Sequence, residues 1–174
     1  EPVPKVLDGL GHVTPRYVSL CADDDLVFLE AIPECIRFLR KNQNYVACHG
    51  YYLNIGKDDD RSYSIGLEYG GPSLDGEMFE ERVFQMLTNY QAISYAIFRT
   101  DVMVDYFKAS IGIEPYVYIE LFTGIVPLLG GKVKRLPLCY HVRTRQEVVS
   151  THDNPRWHPF LWFADDPEGF LKEF

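Results

Sequence analysis

The sequence predicts an α/β fold: a mostly parallel mixed sheet with helices on both faces. Three observations carry that prediction. Short runs rich in apolar, aromatic and β-branched residues recur at 17–21, 45–55, 92–98 and 132–141, as strands require. Between them lie segments whose apolar residues repeat at spacings of three and four, the helical period. The chain has 174 residues, 47% of them apolar and 24% charged, which suits a single globular domain with one core.

Taken in order, Val6, Leu7 and Leu10 ahead of Gly11 predict a short helix. The run YVSLC at 17–21 reads as a buried strand that delivers Asp23, Asp24 and Asp25 at its C-terminal end. From 29 to 40, Ile32, Cys35, Ile36 and Leu39 form a helical stripe, with Pro33 tolerable near the first turn. Residues 45–55 (YVACHGYYLNI) read as the next strand, and 56–76, with five acids and few apolar residues, as a long surface excursion. A helix follows over 77–87 with Phe79, Val83, Phe84 and Leu87 on one side, then a strand over 92–98. A short helix over 101–109, a longer one over 116–129 closed by Gly130 and Gly131, and a strand over 132–141 complete the alternation. Alternating strands and helices favour parallel pairing through crossover connections. Residues 146–174 form an extension that no pattern assigns.

Charge and composition exclude several functions. Seventeen Lys plus Arg against 25 Asp plus Glu leave a net charge of −8, without a basic stripe, so nucleic acid is not an expected partner. The longest apolar run, 121–129, falls well short of the ~20 residues a membrane span needs and contains Thr123, Gly124 and Pro127. Cys21, Cys35, Cys48 and Cys139 lack metal or redox spacing and lie in apolar runs, which predicts buried free thiols and a reducing, cytoplasmic setting. The chain starts at Glu1 and stops at Phe174 within an amphipathic pattern, so a segment of a longer protein is expected.

The residues with most chemical content are the aspartates at 23–25. Adjacent carboxylates repel and raise one another's pKa unless a cation or donors compensate. Oxygen ligands at a strand end suit Mg²⁺ or Mn²⁺, which takes one or two protein carboxylates and leaves its other positions to water and phosphate. A solvated turn beside a helix N-terminus is the plain alternative. The second triplet, at 58–60, fails the calcium-loop pattern because Tyr63 and Tyr69 stand where glycine and the closing acid belong, and it reads as a solvated charge run.

Residues 5–50 (KVLDGLGHVTPRYVSLCADDDLVFLEAIPECIRFLRKNQNYVACHG) and 116–145 (YVYIELFTGIVPLLGGKVKRLPLCYHVRTR) resemble the middle and end of a GT-A glycosyltransferase of the family-2 type. The first block carries a D-x-D motif after a strand. The second carries an acid on a helix, a glycine about eleven residues on, and a strand ending in aromatic, His and Arg residues. The resemblance covers about residues 5–145 and corresponds to the metal and acceptor side of that fold, without the N-terminal half that grips the nucleotide. It implies a metal-dependent, inverting transfer of a sugar from a nucleoside diphosphate donor to an acceptor hydroxyl on a polysaccharide, lipid or protein. It also implies roles. Asp25 is the first metal ligand; Asp23 contacts the donor ribose or shares the metal; Asp24 contacts the donor or caps the next helix. Glu120 is the base. His141 is a third ligand or diphosphate contact, and Arg143, with Arg145, pairs with phosphate oxygens.

Among the aromatics, Phe28, Phe38, Phe79, Phe84 and Phe98 are expected in the core, and Tyr69, Trp157 and Trp162 at the acceptor. Arg82 and Arg99 are either surface salt-bridge residues or acceptor contacts. His12, His49, His152 and His158 are expected to be structural or surface residues. Two rivals remain open. An aspartyl-nucleophile phosphohydrolase would use Asp23 and Asp25, with Asp165 and Asp166 as a second acid pair, but Ser94 does not end its strand and no lysine lies between Lys57 and Lys108. A non-catalytic domain would bind carbohydrate or protein through 56–76 and the aromatic tail.

Overall fold

The computed structural model describes residues 2–57, 62–113, 116–145 and 168. The 58–60 triplet and the 146–174 extension apart from residue 168, with Trp157, Trp162, His152, His158, Asp165 and Asp166, lie outside them. The elements are α1 (Pro2–Gly11), β1 (Tyr17–Val18), β2 (Leu26–Val27), α2 (Ala31–Lys41), β3 (Tyr45–Lys57), β4 (Tyr63–Tyr69), α3 (Phe79–Thr88), a 3₁₀ turn (Ile93–Tyr95), β5 (Ile97–Arg99), α4 (Thr100–Ala109), α5 (Tyr116–Ile125), α6 (Pro127–Gly130) and β6 (Lys132–Arg145). No helix among the described residues is long and apolar enough to cross a membrane.

The α/β class holds, and helices cover both faces. On one face Val46, Ala47, Phe98 and Val133 of the sheet pack against Val3 and Leu10 of α1, Met103, Tyr106 and Phe107 of α4, and Met86 and Leu128. On the other, Ala31, Cys35 and Leu39, one helical turn apart along α2, meet Cys48, Tyr52, Ile97 and Tyr140. Pro33 sits in the first turn of α2, where its missing N–H costs no intrahelical bond.

The sheet is not mostly parallel. Its strand order is β1-β5-β3-β6-β2 with β4 also paired to β3, and of these pairings only β3 with β6 is parallel. The alternation of elements suggests a series of crossovers, but strand periodicity carries no direction. Within the excursion 56–76, residues 63–69 form β4, which pairs antiparallel with β3 through Leu53–Leu67, Ile55–Ile65 and Lys57–Tyr63. The run 17–21 yields only the two residues of β1, since Ser19 turns its hydroxyl to the Tyr95 carbonyl (2.9 Å) and the Tyr140 hydroxyl (2.9 Å). The acids therefore lie in the connection between β1 and β2, away from the C-terminal end of β1, with Asp25 immediately before β2. Half of the 92–98 strand is the 3₁₀ turn, and Pro127 divides the helix expected over 116–129 into α5 and α6.

Two arginines prove structural. Arg82 is 7% exposed and donates to the carbonyls of Leu128, Gly76 and Glu77, so α3 turns Arg82 and Met86 inward while Phe84 stays 69% exposed. Arg99 donates to the carbonyls of Leu39, Asn42 and Tyr45, closing the C-terminal end of α2. Phe28 is also exposed, and of the four free cysteines Cys35 and Cys48 are buried whereas Cys21 and Cys139 are not.

β3 and β6 form the longest pairing, interrupted where β6 spends more residues than β3 between the pairs His49–Arg135 and Tyr52–His141. At this irregularity a Cβ on Gly50 would overlap the Leu138 carbonyl oxygen and crowd Tyr140. Gly50→Ala is therefore expected to lower stability by about 2 kcal/mol or more, read as a shift in urea midpoint at constant slope.

His49 lies beside that glycine, 1% exposed, with Nδ1 donating to the Gly50 carbonyl at 2.8 Å. Burial holds its pKa down to about 4 from 6.5, the Gly50 bond opposing the shift and Arg135 adding to it. The folded state thus binds fewer protons than the unfolded chain between these values. Stability that is fully present above pH 6.5 is lost as pH falls toward 4, by on the order of 3 kcal/mol. Urea unfolding of wild type and His49→Gln across pH 7 to 4 checks this: the wild type should weaken more steeply over that window.

Candidate functional site

Short β2 and the end of β6 build the acidic end of the site. Pairing of Leu26 with Val142 and Val27 with His141 brings Asp25 level with the last residues of β6. The Asp25 side chain is 4% exposed and His141 is fully buried, although they lie 116 residues apart in sequence. His141 Nε2 is 2.9 Å from Asp25 Oδ2, and Arg143 Nε stands 3.9 Å from the same oxygen. A buried carboxylate without partners is costly, and these two groups supply them. His141 Nδ1 is buried with no partner, so the proton shared with Asp25 is on Nε2. The imidazole stacks on Tyr52 (centroids 5.3 Å, 27°) and touches Tyr95, which fixes its plane.

Arg143 links this end to the next. Nη1 donates to the Tyr69 hydroxyl at 3.0 Å, and the guanidinium lies 5.7 Å from the centre of the Tyr95 ring. Tyr69 meets Tyr90 edge to face at 6.0 Å, and the Tyr90 hydroxyl donates to Glu120 Oε1 at 2.8 Å. Burial pushes the Tyr69 hydroxyl up to about 12, with Arg143 opposing and Glu68 and Glu120 assisting. Burial, followed by the charge of Glu120 and the hydrogen bond to it, raises Tyr90 further. Beside Tyr69, Asn54 donates to Glu68 at 2.7 Å, and Gly66 leaves the room that Asn54 Oδ1 occupies.

Of the residues singled out from sequence, Asp25, His141, Arg143, Tyr69 and Glu120 thus belong to one chain of contacts. Asp23 and Asp24 are exposed on the turn before Asp25, and the Asp24 carbonyl accepts the Thr144 hydroxyl. The Arg145 side chain lies outside the described residues. Tyr90, Asn54 and Glu68 were missed: Tyr90 sits in a polar turn after α3, and the other two lie in a segment read as loop and in the strand before it. The signal that could have found Asn54 and Glu68 is the pairing of two alternating segments across residues 58–61. Beneath the acidic turn, an apolar cleft of about 260 Å³ runs between β1 and α2, lined by Tyr17, Ser19, Cys21, Val27, Ile32 and Tyr140.

No three His, Cys, Asp or Glu side chains converge as a ready metal cage among the described residues. Of the three acids, Asp25 is buried against His141 and Arg143, whereas Asp23 and Asp24 are exposed on the turn, where a cation that takes one or two carboxylates and completes its shell with phosphate and water could reach them. His141 stands next to Asp25, but as a direct ligand through Nε2 it would carry its proton on Nδ1, where nothing described accepts it. No protein-family model matches the chain, and no curated protein matches it either.

The Asp25–His141 pair should register as a thermodynamic coupling. His141→Ala leaves a buried carboxylate short of a donor and is expected to cost about 3 kcal/mol. The double variant with Asp25→Ala should cost clearly less than the two single losses added together, as chemical denaturation of the four proteins would reveal.

Proposed function

We propose that this chain carries the metal and acceptor side of a GT-A-type, family-2-like glycosyltransferase, transferring a sugar from a nucleoside diphosphate to an acceptor hydroxyl with inversion. The observation that supports it best is the joining of Asp25 to Glu120 through Arg143, Tyr69 and Tyr90, because the two chemical tasks of such a transfer need an acidic cation-holding end and a separate carboxylate base. Fold class is compatible with the reading, and the resemblance in residues 5–145 supplies the donor class.

The chain's own residues divide the work. The acceptor oxygen attacks the anomeric carbon as the bond from that carbon to the diphosphate oxygen breaks, the bonding pair leaving with the diphosphate. Glu120 takes the acceptor proton. Arg143 offers a guanidinium to the diphosphate oxygens that gain charge. Asp25 would hold a Mn²⁺ or Mg²⁺ ion, with His141 orienting its carboxylate; when bound, that ion neutralises charge on the leaving group. Asp23, on the exposed turn, would face the donor ribose or share the metal, and Asp24 beside it would contact the donor.

Calorimetry with Mn²⁺ and UDP or GDP, together with release of nucleoside diphosphate from UDP-glucose, UDP-N-acetylglucosamine and GDP-mannose, tests the reading in the full-length protein. Asp25→Ala should abolish the Mn²⁺-dependent nucleotide binding. Glu120→Gln should retain binding and lose at least 100-fold in turnover, as expected when a general base is removed. Wild-type turnover in either variant sinks the corresponding role.

A further inference from the structure

We infer that Tyr90 is the positioning residue of the base: its hydroxyl fixes Glu120 through Oε1 and leaves Oε2 as the atom that receives the acceptor proton. This rests on the reading of Glu120 as base in the preceding section.

Glu120 is the fifth residue of α5, half-buried, on a side chain with three rotatable bonds. Left alone, such a carboxylate samples several rotamers, whereas a base must stand within hydrogen-bond reach of the proton it removes. Tyr90 supplies the constraint. A phenol facing a carboxylate can only donate to it, and the 2.8 Å bond is short enough to define the direction of Oε1.

The anchor of Tyr90 is itself rigid on both sides. In the chain, its neighbour Gln91 is fully buried and donates through Nε2 to the Pro72 carbonyl at 2.8 Å, while the Gln91 carbonyl accepts from the Ile93 N–H. In space, the Tyr90 ring abuts Tyr69, whose hydroxyl accepts from Arg143, which in turn faces Asp25. The same contacts that place Arg143 for the leaving group therefore set the far wall against which Tyr90 is packed. Burial and the charge of Glu120 keep the phenol protonated, so the bond persists through the ordinary pH range.

Tyr90→Phe is the test, since it keeps the ring contact with Tyr69 and deletes only the donor. Nucleoside diphosphate release from the three sugar nucleotides above is measured with Mn²⁺ in the full-length protein. kcat should fall about 10- to 100-fold, the loss typical of a reacting group misplaced by about 1 Å, while donor KM stays at its wild-type value and the thermal midpoint drops by only a few degrees, the effect of losing one hydrogen bond to a half-buried carboxylate. Adding Tyr90→Phe to Glu120→Gln should produce no further loss, because both act on one carboxylate. A Tyr90→Phe protein with wild-type kcat, or one whose effect multiplies with that of Glu120→Gln, overturns the role of Tyr90 alone. An active wild type in which Glu120→Gln is also fully active, or a wild type inactive on all three donors, overturns the assignment of the base and this inference with it.

Discussion

The structure depends on one buried carboxylate. Asp25 is almost wholly removed from water, and a carboxylate in that position is tolerated only because an imidazole N–H and a guanidinium from the same strand face it. Those partners reach it because β2, two residues long, docks on β6 in a register that sets Val27 against His141. The turn of acids, the end of the longest strand and the connection from β1 to β2 are thus fixed by a single electrostatic requirement.

From that point a series of contacts crosses the sheet surface. Arg143 ties the acid to Tyr69, Tyr69 packs on Tyr90, and Tyr90 reaches a helix that has no direct part in the β2–β6 pairing. The rest of the fold holds these pieces at fixed separation. Arg82 and Arg99 each gather carbonyl oxygens from segments distant in sequence, so that α3, α6 and the end of α2 are locked without using their charges at the surface. Such arginines bury their stems with the core and spend their donors on backbone.

Much of this was legible in the sequence. Helix periodicity located α2, α4 and the approximate span of α3, and the acid triplet, Glu120, His141 and Arg143 were singled out by residue type and order. What escaped was directional. Apolar runs say where strands lie but not which partner they take, so the pattern suggests a mostly parallel sheet where β4 and β5 pair antiparallel with β3, and it suggests a surface excursion where β4 forms. Side-chain length hid the role of Arg82, whose position on a helix reads as polar surface until the carbonyls it reaches are known. Tyr90 follows the last turn of α3 in a polar stretch, and a tyrosine there has no periodicity to mark it.

The irregularity between β3 and β6 has a wider meaning. Successive strand residues point to opposite faces, so the surplus of β6 residues around Pro137 sets the phase of everything beyond it. Pro137, lacking an N–H, fits such an interruption better than a regular ladder. Loss of one residue from this insertion would leave the composition of the strand end intact yet rotate the imidazole and guanidinium to the wrong side of the sheet. In descendants of this chain, the length of that small segment would be guarded more closely than the identity of its side chains.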